Sequence, residues 1–208
     1  MAAQAFFRLP LLKCPKIEYN KTNAFIIRRK IIMKELNYLD VMGYAADKMS
    51  HAGVFLTVPG EPANTMTIGW GWIGYCWKKP VYAVVVRPQR HTYDLIRKAG
   101  CFTVSVPTSD ELKAELIMAG TRSGRDINKF EGHGLTAVPG QKVDAPIVKE
   151  CGLHFECRTV MNGFMMGDTM DQEIMGRCYP QNDLHEMFFG EIVACYATDD
   201  EFAEIYAR

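Results

Sequence analysis

The chain has 208 residues, 48% of them hydrophobic and 23% charged, with a formal net charge of zero. That length suits one globular domain with a full core, the neutrality argues against a dedicated nucleic-acid binder, and no apolar run approaches the roughly 18 residues a membrane span needs. The balance hides an asymmetry: residues 1–32 carry seven bases and one acid, netting +6, so the remainder nets −6.

That basic segment has short apolar patches broken by Arg8, Pro10, Lys13 and Pro15. It lacks a signal-peptide layout, and Met33 directly after it reads as a natural start. Residues 1–32 are therefore expected to be a non-core extension or upstream sequence, with a transit peptide as the other reading, and 33–208 to be the domain. Seven cysteines, an odd number without a C-x-x-C pair, point to a reducing, cytoplasmic protein without structural disulfides or a zinc site.

After Met33 short strands dominate. AGVFLTV (52–58) and TMTIGW (65–70), separated by PGEPAN, predict a hairpin. The continuous apolar run Val81–Val86 predicts a strand buried on both faces. HTYDLIRKAG (91–100) predicts a helix stopped by Gly100, and CFTVSV (101–106) another strand. Thr108 and Glu111 form a capping box ahead of ELKAELIMAG, and TRSGRDINKF leads into a short helical turn near 126–131. Long late strands are expected in IVKECGLHFECRTVM and MFFGEIVACYA, separated by a Met-rich loop, 161–175. The fold class is mainly β, a β-barrel with a few helices.

Gly69, Gly71 and Gly74 in GWGWIGYCW match G-x-G-x-x-G, the dinucleotide fingerprint. The context rejects it. A fingerprint needs a helix on its last glycine and an acid about 20 residues on, whereas YCWKKPVYAVVV reads as a loop and then a strand, and Arg87 occupies the relevant stretch. What remains is a strand end where glycine lets backbone approach another strand or a flat ligand. The ligand reading draws on Trp70 and Trp72 beside Asn64, Thr65 and Thr67, and simple core packing is the alternative.

Two basic segments point to an anion. Arg87 and Arg90 stand at a strand-to-helix junction followed by Thr92, and Arg122, Arg125 and Lys129 surround Ser123 and Gly124 at a second predicted helix start. Cations at a helix N-terminus are unfavourable unless an anion joins them; solvated side chains are the other reading. The five histidines lack metal-ligand spacing, and no nucleophile–base arrangement or carboxylate pair is legible. His185 stands at a strand entrance, where residues often face a ligand.

Taken together, NTMTIGW (64–70), KKP with the following strand and RPQRHTY (78–93), SGRDINKF (123–130) and HEMFFGEIV (185–193) resemble the flavin reductase-like family, an FMN-binding split barrel, in its flavoredoxin-like branch. The resemblance implies a homodimer holding FMN non-covalently near its interface. It implies contacts from Asn64, Met66, Thr67, Gly69, Trp70 and Gly71 to the ring and ribityl chain, and phosphate binding by Arg87, Arg90 and Thr92. Ser123, Lys129 and His185 complete the implied site, with Lys129 near the pyrimidine end of the ring. The implied activity is that of an FMN-dependent oxidoreductase, with NADH or NADPH as donor and free flavin, a metal ion or a protein as acceptor. A flavoredoxin-type electron carrier without its own NAD(P)H activity, and a barrel binding another phosphorylated ligand, are the alternatives. The extension has no counterpart in the family pattern, and the chain ends sooner after the last long strand than many relatives do.

Overall fold

The structure, a computed structural model, describes residues 33–207; the expectation for 1–32 lies outside them. A two-residue strand β1 (Lys34–Glu35) precedes helix α1 (Tyr38–His51). The Asn37 side chain caps this helix by accepting from the Leu39 N–H at 3.0 Å, and Val41, Ala45 and Met49 give it one buried stripe at the four-residue spacing of a single helix face. β2 (Val54–Val58) and β3 (Asn64–Ile68) form the expected hairpin, with Val58 opposite Asn64.

β4 (Gly71–Cys76) and β5 (Lys79–Val86) form a second hairpin through Trp77 and Lys78, both at positive φ (52° and 58°). Such two-residue connections match the twist of the flanking strands. Tyr75 and Cys76, expected in a loop, are thus the end of a strand, paired with Pro80 and Lys79.

α2 (His91–Ala99) ends at Gly100, whose φ of 65° is the left-handed conformation expected there. β6 (Cys101–Val106) is wholly buried. α3 (Lys113–Thr121) starts later than the capping box implies, with Leu112 at the cap and no side-chain cap bond. The Thr108 hydroxyl is drawn elsewhere: it donates to Asp199 at 2.7 Å. Residues 122–131 form separate turns instead of the expected helical segment. Ser123 Oγ accepts from the Arg125 N–H at 3.2 Å and Asn128 Oδ1 from the Phe130 N–H at 3.1 Å, local bonds that compete with a helix.

The short strands β7 (Ala137–Val138) and β8 (Ile147–Val148) pair with each other. Then come β9 (Leu153–Phe164), a 3-10 turn at Gly167–Thr169, α4 (Gln172–Cys178), β10 (Glu186–Ala197) and α5 (Asp200–Tyr206). The Met-rich stretch is therefore shared among the end of β9, the 3-10 turn and α4, where Asp171 accepts from the N–H groups of Glu173 and Ile174. No loop of that length exists there.

The main sheet runs β3-β2-β6-β9-β10-β5-β4, antiparallel throughout, with β1 added on β10. β3 and β4 stand at opposite ends of this order yet only Gly69 and Trp70 separate them in sequence. A connection of two residues reaches at most about 10 Å, so the sheet curls until its edges nearly meet. Inside lie Leu56, Tyr82, Phe102, Phe155 and Phe188, covered by α1 and α5 through Val41 and Phe202. Burial of each large apolar side chain contributes about 1.5–3 kcal/mol. The barrel-like, mainly β expectation holds.

Candidate functional site

α2 begins at Arg90, whose extended backbone (φ −74°, ψ 141°) makes it the cap residue, but no side chain caps the helix. The orphan N–H groups of its first turn carry the positive end of the helix dipole. Facing this turn are the end of α3 and the turn 122–125, and between them lies a cleft of about 230 Å³. β3 lines it with Asn64 and Met66, the entry and first turn of α2 with Gln89 to Thr92, α3 with Ala119 to Thr121; Arg122 to Arg125 and Lys129 complete it. Four cations line the cleft, Arg90, Arg122, Arg125 and Lys129, and no carboxylate does.

The walls are tied together by specific contacts. The Asn64 amide donates to the Thr92 hydroxyl at 2.8 Å, and Arg125 donates to the Gln89 carbonyl at 3.1 Å. Gly124 fits where no side chain can: an added Cβ would stand 2.0 Å from Asn64 Oδ1 and 2.7 Å from the His91 ring. Lys129 is 4% exposed, and its Nζ donates to the Thr65 carbonyl at 2.8 Å and the Ala119 carbonyl at 2.7 Å. Burial, and after it the nearby Arg90, pushes its pKa down to about 8. His91 is lowered by burial and then by Arg125 and Lys129.

Six of the twelve residues expected at the site line this cleft: Asn64, Met66, Arg90, Thr92, Ser123 and Lys129. Thr67 is on the same strand, its hydroxyl donating to the Leu116 carbonyl at 2.6 Å, while Gly69 and Trp70 link β3 to β4. At Gly71 an added Cβ would lie 2.6 Å from the Ala83 carbonyl oxygen, so the close approach that demands glycine is that of β5. Arg87 does not face the cleft. Its guanidinium pairs with Asp183, donates to the Cys178 carbonyl at 2.9 Å and lies over the Tyr179 ring at 5.4 Å. His185 belongs to the same cluster: its Nδ1 is 2.8 Å from the Tyr179 hydroxyl, and its ring is 5.2 Å from that of Trp70. Burial, then Arg87, pushes the His185 pKa down to about 4.

Sequence reasoning placed Arg122 and Arg125 beside Ser123 but missed Gln89 and the last turn of α3. The available signal was the basic TRSGR stretch following an apolar helix directly. A separate surface carries exposed aromatics. Trp72, Ala83, Phe189 and Met161 stand in one cross-strand row over β4, β5, β10 and β9, with Trp72 and Trp77 packed edge-on against Phe189 at 5.6 and 5.7 Å. Trp72, Trp77 and Met161 are all more than 40% exposed. Among the described residues no three His, Cys, Asp or Glu side chains could hold a metal ion, and no helix is long and apolar enough to cross a membrane.

Known proteins share this fold. An uncharacterized protein of Archaeoglobus fulgidus is 39% identical over 107 residues, 51% of this chain, and the match spans only 59% of that protein. Flavoredoxin of Desulfovibrio vulgaris (Miyazaki F) superposes with a TM-score of 0.56 at 24% identity, over 87% of this chain and 78% of its own. An FMN-binding protein from Thermus thermophilus gives 0.56 at 18%, over 89% and 82%. At such identities the likeness speaks for the fold, a flavin reductase-like split barrel. The sequence model of the flavin reductase like domain matches residues 47–208, and the chain belongs to that family.

Proposed function

We propose that the protein binds FMN non-covalently in the cleft and works as an NAD(P)H-dependent flavin reductase-type oxidoreductase. The observation that carries this reading is the cleft itself: four cations, no acid and an uncapped helix N-terminus, in a chain of a flavin-binding family. Helix N-termini and guanidinium groups suit a phosphate monoester. In this reading Arg90, Arg122, Arg125 and the first-turn N–H groups of α2 hold the phosphate. Thr92 and Ser123 add hydroxyl donors, and Asn64 and Met66 flank the ribityl chain. Thr67, Gly69, Trp70, Gly71 and His185 are assigned to the ring end. Bound FMN supplies two-electron acceptance from a reduced nicotinamide and delivery to an acceptor; the chain's residues bind, orient and shield it.

We place the exposed aromatic row at a homodimer interface, since contiguous apolar surface of this kind marks association sites. In this reading the protein works in the cytoplasm, where its six described cysteines stay reduced. The likeness to flavoredoxin favours one second reading, an electron carrier without pyridine-nucleotide activity.

The test is direct. The purified protein, as isolated or after reconstitution with FMN, is expected to be yellow and to bleach anaerobically on addition of NADH or NADPH. Yellow protein that neither nucleotide bleaches supports the carrier, and protein that stays colourless with FMN overturns both readings.

A further inference from the structure

Lys129 is a buried cation without a counter-ion. Its two hydrogen bonds go to neutral carbonyls, those of Thr65 and Ala119, and it takes part in no ion pair among the described residues. An ammonium has three N–H groups, so one is left for the cleft that Lys129 lines. The charged and titratable groups sharing that cleft are all bases: Arg90 at the cap of α2 and His91 in its first turn, and Arg122 and Arg125 from the turn. β3 and α3 contribute only uncharged lining, Asn64 and Met66 from one and Ala119 to Thr121 from the other.

Burial among like charges favours the neutral amine, which can still donate to both carbonyls. A phosphate monoester in the cleft brings the missing negative charge and an acceptor for the third N–H. We propose that at alkaline pH Lys129 is charged by its ligand: seating a phosphate monoester dianion in the cleft draws one proton from solvent onto the Lys129 amine. The proposal rests on the reading of this cleft as the FMN phosphate site. The balance is simple. Free protein with Lys129 as an amine, the dianion and one proton give the bound dianion beside an ammonium; one N–H bond forms and no electrons move.

The pH window follows from the depressed value of about 8. Well below pH 8 the free lysine is already protonated, so binding takes up almost nothing. Above pH 8 uptake rises towards one proton per ligand, and affinity falls by about tenfold per pH unit because the proton must be supplied.

Isothermal titration of FMN into the full chain, in two buffers of different ionisation heat, reads this uptake. At pH 9 about nine-tenths of a proton is expected per FMN and at pH 7 about one-tenth, with affinity about tenfold weaker at pH 9. Riboflavin, which lacks the phosphate, is expected to bring no uptake. Lys129→Arg, which keeps its charge at both pH values, is expected to abolish the uptake and flatten the pH dependence, and Lys129→Met to abolish the uptake while weakening FMN binding at pH 7. Tight FMN binding without uptake at pH 9 overturns the proposal and leaves the cofactor reading standing. Uptake that persists in both variants, or that riboflavin reproduces, overturns it as well. Failure of FMN to bind at pH 7 removes the cofactor reading and this proposal together. Should either variant fail to fold, the FMN and riboflavin comparison on the unaltered chain decides alone.

Discussion

Asn64 donates its side-chain amide to the Thr92 hydroxyl at 2.8 Å, joining the start of β3 to the first turn of α2. Both residues are buried, and the oxygen of the same amide lies so close to Gly124 that no side chain fits there. Removing the amide strands a buried hydroxyl, which costs roughly 1–3 kcal/mol. Asn64→Ala is expected to lose about that much stability in urea denaturation and to weaken FMN binding by about tenfold. Unchanged FMN affinity would show that this tie does not shape the cofactor site.

Gly124→Ala tests the wall itself. Its Cβ would collide with Asn64 Oδ1 at 2.0 Å, forcing the 122–125 turn away from β3. The turn is largely solvent-facing, so a modest stability loss of about 1–3 kcal/mol is expected together with a much larger loss of FMN affinity. A fluorescence titration that finds normal FMN binding would rule out a role for the turn.

Arg87 and Arg90, three residues apart, have different tasks. Arg87 ties β5 to the 178–183 segment through Asp183 and the Cys178 carbonyl; Arg90 faces the cleft. Arg87→Gln is expected to speed hydrogen exchange across α4 with little change in FMN affinity. Arg90→Gln is expected to weaken FMN by about tenfold, the loss of one charged hydrogen bond, and to leave α4 protected. The reverse pattern would return Arg87 to the phosphate.

Acid should destabilise the protein before its carboxylates titrate. His154 is fully buried between Ser105 and Thr198, at 3.1 and 3.0 Å, and burial pushes its pKa down to about 3; His185 is held at about 4. Both are bases with depressed folded values, so the unfolded chain takes up protons first, near pH 6.5. Stability therefore falls as pH drops from about 6.5 towards 4, with a limiting slope of about 1.4 kcal/mol per pH unit for His154. Denaturation curves between pH 7 and 4.5 check the slope, and His154→Gln should flatten it even if the variant is less stable at pH 7.

Phe189 stands at the centre of the exposed row, packed against Trp72 and Trp77. Phe189→Arg is expected to convert a sedimenting dimer into a monomer while the monomer's fold persists, as judged by circular dichroism. A wild-type chain that sediments as a monomer at micromolar concentration would remove the dimer from the reading.

The strands were legible because their burial is written in composition: Val81–Val86 is apolar without interruption, CFTVSV alternates apolar residues with only the small hydroxyls of Thr103 and Ser105, and the structure buries each on both faces. The β2–β3 hairpin followed from its Pro and Gly, whereas the β4–β5 hairpin, which turns through Trp77 and Lys78, carries no such signal. α1 escaped because its stripe, Val41, Ala45 and Met49, is thin, although the Asn37 cap marks its start. The capping box failed because a hydroxyl bonds whichever acceptor the tertiary fold brings near, here Asp199, 91 residues away. The same limit governed the site. Local charge pattern found the basic turns, but whether Arg87 faces a cleft depends on Asp183, a partner 96 residues distant. That Lys129 would be buried against two carbonyls is a matter of packing between β3 and α3, which no local pattern encodes.

The seam where the sheet fails to close has one more consequence. β3 is an edge strand, paired only with β2, and unpaired strand edges recruit other chains. Here α3 and Lys129 occupy that edge, through Thr67 to the Leu116 carbonyl and through Lys129 to the Thr65 carbonyl. The residues that build the cleft are thus also what keeps one molecule's sheet from being extended by another's, so variants made to empty the site will put solubility at risk as well as colour.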